Sequence, residues 1–379
     1  MKAPLFETLR APLDRLAGLA ASLSSRHQVP ALMVADSQPL EKRMELLAGW
    51  LDALHAREAF NGTVLIAQRG TIRFEKHCGF EDVEDVVPLS AHSSYSLASV
   101  SKPITALGIM LLARKGKLTL DQRLAQHVPE LADFGEITIR HLLHHTSGVP
   151  DYMELADAHW NPERVLTIDD LIDLLAKHRP PPYFAPGEWF EYSNTGYALL
   201  GEILSRASGM PYAKFMAREI FEPLGMNDSA AFNLTSKEEC RLRSRAFGMR
   251  KRFGRFGRKV RCDLNYLDGV FGDGGIYASV EDIARWDSAL RDGTLIPNDV
   301  YAEAYVPGRL NNGENTSYGF GWQIEPPDAV YHWGEWQGFT SYVRRNLKNH
   351  ALLVVLSNLG PAAQVEALTA ELERFVEHV

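Results

Sequence analysis

Three short segments carry side chains that could act together on a carbonyl group. Ser99-Val100-Ser101-Lys102 stands directly before an apolar stretch containing Ile104, Leu107, Met110 and Leu111. On a helix, a spacing of three puts Ser99 and Lys102 on one face, so the lysine can reach the serine hydroxyl and activate it as a nucleophile. At a helix start, Ser99 would also lie beside unpaired backbone N–H groups and the positive end of the dipole, both suited to an oxyanion. Pro103 fits the same place, because a first-turn N–H has no intrahelical partner to lose. The alternative is a capping serine followed by a surface lysine.

The second segment is Tyr192-Ser193-Asn194, after Pro186-Gly187 and before Tyr197, Leu199 and Leu200. A phenol titrates near pH 10, but an adjacent cation favours the phenolate, so a tyrosine beside Lys102 could serve as a base. Asn194 would then offer its amide to a substrate carbonyl. Alternatively, Ser193 or Asn194 caps the following helix and Tyr192 packs. The third segment is His332-Trp333-Gly334. A donor on an edge strand can line one wall of a cleft, and Gly334 allows close approach to backbone N–H groups. A packed histidine is the alternative there.

Positioning these groups requires recognisable elements. A helical pattern over 40–57 is followed by two β-favouring runs, Thr63 to Gln68 and Thr71 to His77, joined at Arg69-Gly70 as a hairpin. Helical signals then occupy 102–115, 138–145, 168–178, 195–208 and 212–220, and strand-like runs return at 330–333, 339–345 and 351–356 before a closing helix over 365–379. The expected fold is therefore α/β in the α+β sense: an antiparallel sheet flanked by helices, built from both chain ends, with a helical subdomain inserted. Residues 1–45, with an amphipathic stretch from Leu5 to Leu23, read as an extension of unassigned role. Residues 46–379 read as the main domain, with its sheet part at about 46–97 and 270–379 and its helical part at about 98–269.

Composition limits the partners. With 48 acidic against 40 basic residues the formal charge is -8, a field that repels nucleic acid and anionic membranes. No run of 18 apolar residues suggests a transmembrane helix. Glu7, Arg10, Asp14 and Arg15 interrupt what a signal peptide would need as an apolar core, and Cys78, Cys240 and Cys262 form no CxxC pair. A cytoplasmic location is the expectation. His141, His144 and His145 lack a matching carboxylate or thiol and read as packing beneath the cleft rather than as a metal site. The basic-aromatic segment from Arg250 to Arg261 reads as a solvated loop, with contact to an anionic substrate or a lipid headgroup as the rival.

Taken in order, SxxK at Ser99 to Lys102, YxN at Tyr192 to Asn194 and HxG at His332 to Gly334 resemble the motif set of the penicillin-recognising serine hydrolases. The Tyr-containing form is similar to the branch holding class C β-lactamases, D,D-peptidases, D-amino-acid-specific peptidases and related esterases. His145-Thr146-Ser147-Gly148, Pro223-Leu224-Gly225-Met226, Gly272-Asp273-Gly274-Gly275 and Tyr318-Gly319-Phe320-Gly321-Trp322 extend the likeness over about Phe60 to Leu359. The resemblance implies a serine β-lactamase-like fold, with Ser99 as nucleophile and proton transfer shared by Lys102 and Tyr192. It further implies Asn194 orienting the acyl group and an oxyanion hole made by the backbone N–H groups of Ser99 and Glu335. His332 and Trp333 stand where lactamases and peptidases of the family usually carry Lys and Thr or Ser. The expected reaction is therefore acyl transfer on a small ester or amide with an esterase-like preference and no cofactor or metal. A β-lactamase, a D-amino-acid-specific peptidase or a silent binding protein on the same scaffold are the rivals. Oligomeric state is not readable.

Overall fold

The computed structural model describes residues 29–84, 86–235, 242–252 and 258–377. The stretch from Leu5 to Leu23, Cys240 and the centre of the basic segment lie outside them. Eight strands and seven helices position the site. The strands are β1 Gly62–Gln68, β2 Thr71–Cys78, β3 Ser93–Ser96, β4 Ile276–Ala278, β5 Gln323–Glu325, β6 Ala329–Trp336, β7 Phe339–Asn346 and β8 Ala351–Ser357. The helices are α1 Leu40–Ala56, α2 Ser101–Arg114, α3 Ile139–Leu143, α4 Ile168–His178, α5 Asn194–Ser208, α6 Val280–Asp292 and α7 Ala362–Val376.

The main sheet has the order β2-β1-β8-β7-β6-β5 and every neighbouring pair is antiparallel. Its strands thus come from both chain ends, as the sequence predicts, with most helices between them. Strand periodicity divides the apolar residues between two cores. Val64, Ile66, Leu353 and Val355 meet Leu47 and Leu51 of α1 and Val365, Leu368 and Leu372 of α7. Leu65, Ala67, Leu352, Val354 and Leu356 turn to the other face and join the large core containing α2, α5 and α6. A strand covered on both sides reads as an unbroken apolar run, which explains Ala351-Leu352-Leu353-Val354-Val355-Leu356.

Helix α2 is buried from Ser101 to Leu112. It crosses α5 where Gly108 lies against Leu204, and a methyl group there would come within 2.6 Å of that leucine's Cδ1. Central placement fixes the N-terminal end of α2 in space, and the pair Ser99–Lys102 with it. Local signals set the other termini: Thr167 accepts from the Asp170 amide to start α4, and Ser193 accepts from Gly196 to start α5. The chain before α1 is tied down as well, because the Leu32 amide donates to Glu371 at 3.1 Å and the Trp50 indole donates to the Pro30 carbonyl.

Candidate active site

Between β3 and α2 the chain makes one tight 3-10 turn, Ala98–Val100. Ala98 takes φ +46°, a left-handed conformation rare for a residue with a side chain. The bend turns the Ser99 side chain out of the core into a cleft of about 490 Å³, lined among others by Tyr192, Tyr318, His332, Trp333, Gly334 and Glu335.

Lys102 is fully buried. Its Nζ lies 3.0 Å from Ser99 Oγ, 2.9 Å from Asn194 Oδ1 and 2.8 Å from the Asp273 carbonyl oxygen. Three acceptors exhaust the donors of an ammonium, yet burial holds the group down to about 8, with Asp273 and Asp151 opposing the shift. A substantial neutral fraction near physiological pH can accept the Ser99 proton. Gly272 makes this geometry possible: at φ +105° it lies so close to the Tyr197 carbonyl oxygen that a Cβ would collide with it. The next residue can therefore point its carbonyl at Lys102 while its carboxyl accepts from Tyr152 at 3.1 Å.

Tyr192 places its ring centroid 4.9 Å from Lys102 Nζ. Its phenol is pushed up by burial, with an interaction with Ser99 opposing. The residue is 38% exposed overall, so this effect belongs to the inward-facing hydroxyl end. The cation-driven phenolate anticipated from sequence is not the resting state: burial, with the Asp273 charge acting in the same direction, favours the neutral phenol. Asn194 uses its oxygen for Lys102, and its amide nitrogen makes no hydrogen bond among the described residues.

The opposite wall is β6. A two-residue turn, Gln337-Gly338, joins β6 to β7 and pairs Trp336 with Phe339. That hairpin makes Trp336–Phe339 a hydrogen-bonded pair and Glu335–Thr340 a non-bonded one, so the Glu335 N–H points away from β7. Strand β5 pairs only with residues 329–331, which leaves this N–H on an open edge. Gly334 lies against the turn that holds Ser99: a Cβ there would collide with the Leu97 carbonyl and Ser341 Oγ and come within 2.9 Å of the Ser99 nitrogen. Such contact brings the Ser99 and Glu335 amides to one corner of the cleft, an arrangement able to receive an oxyanion.

A family model described as Beta-lactamase matches residues 47–377. The chain belongs to the beta-lactamase family. Within the beta-lactamase family it is similar to penicillin-binding protein 4* of Bacillus subtilis, 38% identical over 81% of this chain and 70% of that protein. Among solved structures it is similar to a penicillin-binding protein from Bacillus halodurans, with a TM-score of 0.72, 26% identity and coverage of 89% of this chain and 99% of that one. The octameric penicillin-binding protein homologue from Pyrococcus abyssi matches with a TM-score of 0.70 and 28% identity over 87% and 77% of the two chains. The fold is that of the β-lactamase-like serine hydrolases, and the chain is a serine hydrolase of that family.

All the site residues named from the family motifs border this one cleft or its base. His332 differs in detail from a wall-lining donor: Nδ1 lies 2.6 Å from the Trp333 carbonyl and Nε2 2.8 Å from the Tyr318 hydroxyl. Both ring nitrogens are thereby used inside the protein, and burial, then the Lys102 charge, lowers its pKa to about 3. Trp333 lines the cleft but rests on Tyr342 at a ring separation of 4.2 Å. The three histidines at 141–145 do not converge: His141 bonds Thr138, His144 bonds the Tyr318 carbonyl and His145 bonds the Ser193 amide. No group of metal-ligating side chains occurs among the described residues, and no described helix is long and apolar enough to cross a membrane. In the basic segment Lys251 pairs with Glu58 and Arg261 with Asp82, and none of its described residues lines the cleft. Sequence reasoning missed Asp273 as the third acceptor for Lys102, and it missed Thr340 and Glu366 at the cleft. The only available signal was the Gly272-Asp273-Gly274-Gly275 turn itself.

Proposed function

We propose that the chain hydrolyses small esters or amides through a covalent acyl group on Ser99. The observation that carries this reading is the 3.0 Å contact between the buried Lys102 Nζ and Ser99 Oγ, in a cleft whose far wall presses on the Ser99 amide. Neutral Lys102 takes the Ser99 proton as Oγ attacks the carbonyl carbon, and the backbone N–H groups of Ser99 and Glu335 receive the negative oxygen. Tyr192, held as a neutral phenol, gives its proton to the leaving group and regains one from the Lys102 ammonium. Asn194 holds Lys102 through its oxygen and turns its amide N–H toward the acyl group. Water then cleaves the acyl-enzyme by the reverse relay.

Simple esters are preferred over penicillins, cephalosporins and D-Ala-D-Ala peptides in this reading. Those substrates present a carboxylate, while His332 is neutral with both nitrogens occupied and Trp333 offers no hydroxyl. A missing charge-assisted hydrogen bond costs roughly 1.5–3 kcal/mol, about ten- to a hundred-fold in discrimination. Penicillin acylation is the second reading, favoured by the 38% identity to a protein named as penicillin-binding. Intact-protein mass after exposure to a fluorophosphonate, a nitrophenyl ester and a penicillin tests both, with Ser99→Ala as control. Absence of any Ser99-dependent adduct would sink the hydrolase reading. A cephalosporin kcat/KM at or above that of the ester would sink the esterase preference.

A further inference from the structure

Beside the open edge of β6, the cleft carries charge that the proposed chemistry does not use. Glu335 and Thr340 are cross-strand partners and therefore share one face of the sheet, the face that also holds Trp333 and Tyr342. Helix α7 runs along that face and contributes Ala362 and Glu366 to the same cleft. Neither Glu335 nor Glu366 makes an ion pair or hydrogen bond among the described residues. The Glu335 carboxyl is pushed up by burial and by the Glu366 charge, as expected of two carboxylates without a cation between them. Thr340 adds an independent sign: it is 2% exposed and lines the cleft, yet its hydroxyl has no hydrogen-bond partner. A buried hydroxyl without a partner costs free energy that a ligand can recover.

We infer that Glu335, Glu366 and Thr340, beside the Trp333 ring, form a subsite for a primary ammonium group on the acyl part of the substrate. The substrate class is thus an aminoacyl ester or amide, and the inference rests on the acyl-transfer reading of the same cleft. Two carboxylates supply the charge, the threonine oxygen accepts an N–H, and an aromatic face adjoins them for cation–π contact. Position limits the substrate further. The Glu335 N–H faces the oxyanion corner while its carboxylate lies only a Cα, a Cβ and a Cγ away, so the ammonium sits a few bonds from the scissile carbonyl. Carboxylate-bearing acyl groups meet repulsion at the same place. The polarity is opposite to that of the rival reading of the basic segment as a contact for an anionic substrate; none of its described residues lines the cleft, and its Lys251 and Arg261 pair with Glu58 and Asp82.

Nitrophenyl esters of 4-aminobutyrate, pentanoate and succinate, matched in length, test the inference. At low ionic strength kcat/KM is expected to fall in that order, with roughly three- to ten-fold between cation and neutral ester for partly exposed charges, and the gap narrows with salt. Glu366→Gln lowers the ratio of kcat/KM for the cationic ester to that for pentanoate, and Glu335→Gln is read by the same ratio. Equal rates for the cationic and neutral esters, or a ratio unmoved by Glu366→Gln, overturn the subsite while leaving the hydrolase reading intact. A second measurement is independent of turnover: calorimetry on Ser99→Ala with pentylammonium and with pentanoate. Tighter binding of the ammonium, weakened by Glu366→Gln, supports the subsite even if no ester is hydrolysed. Equal or reversed affinity overturns it.

Discussion

His145 Nδ1 accepts a hydrogen bond from the Ser193 amide at 3.0 Å. The His145 carbonyl accepts from the Glu191 amide, and its ring lies 4.4 Å from that of Tyr192. Both residues that flank Tyr192 are thus held by one buried histidine. Burial, then the Lys102 charge, keeps that imidazole well below its usual pKa, and only the neutral form can accept at Nδ1.

His145 is accordingly a positioning residue for Tyr192. His145→Ala is expected to lower kcat/KM on a neutral ester by no more than the roughly 10²–10⁴-fold that a general acid–base group contributes. Combined with Tyr192→Phe it should add little, because the two act as a unit. A double-mutant cycle checks this; additive losses would mean that His145 acts elsewhere.

Lys102 sets the expected pH dependence. Under the proposed mechanism its neutral form is the active one, and its pKa is lowered to about 8, so kcat/KM is expected to rise with pH and level off above about 8. Lys102→Ala removes both the limb and most of the activity. A flat profile between pH 6 and 9 for a neutral ester would refute Lys102 as the proton acceptor.

Gly334→Ala tests the approach of β6 to the nucleophile. The added methyl would collide with the Leu97 carbonyl and Ser341 Oγ and crowd the Ser99 nitrogen, displacing the strand that presents the Glu335 amide. A loss of about 10²–10³ in kcat is expected, the scale of one missing oxyanion donor. Wild-type kcat in a folded Gly334→Ala protein would rule out this corner as the oxyanion site.

Acid should unfold the protein through its buried histidines. His332 is lowered to about 3 and His144 to about 4, both chiefly by burial. The unfolded chain binds protons near pH 6.5 and the folded chain does not, so stability present above pH 6.5 is lost as pH falls toward those values. The slope reaches about 1.4 kcal/mol per pH unit for each such histidine. Urea midpoints at pH 7.5, 6 and 5 check it, and unchanged midpoints would contradict it.

Much of this was legible in the residues. Ile168 to His178 has the period of an amphipathic helix, and helix α4 occupies those positions, with Thr167 found as its cap. The hairpin at Arg69-Gly70 and the apolar run at 351–356 announced strands, because alternation and double burial leave direct marks on composition. Site members that depend on approach through space left none. Asp273 serves Lys102 by a main-chain oxygen, which any residue possesses, and Glu366 reaches the cleft only because α7 lies along the sheet. The sign of the Tyr192 shift was also out of reach, since it depends on how much water the fold removes.

The pairing of β1 with β8 has a consequence for synthesis. Gly62 lies opposite Ser357, so the strand made early on the ribosome waits almost to the end of translation for its neighbour. Strand β6, which completes the cleft, reaches its place beside Ser99 only in that assembled sheet. Long-range closure of this kind makes folding slow and late. A nascent chain therefore carries Ser99 and Lys102 past the exit of the ribosome before β6 stands beside them, and under the proposed mechanism the site stays silent until the last strands are home.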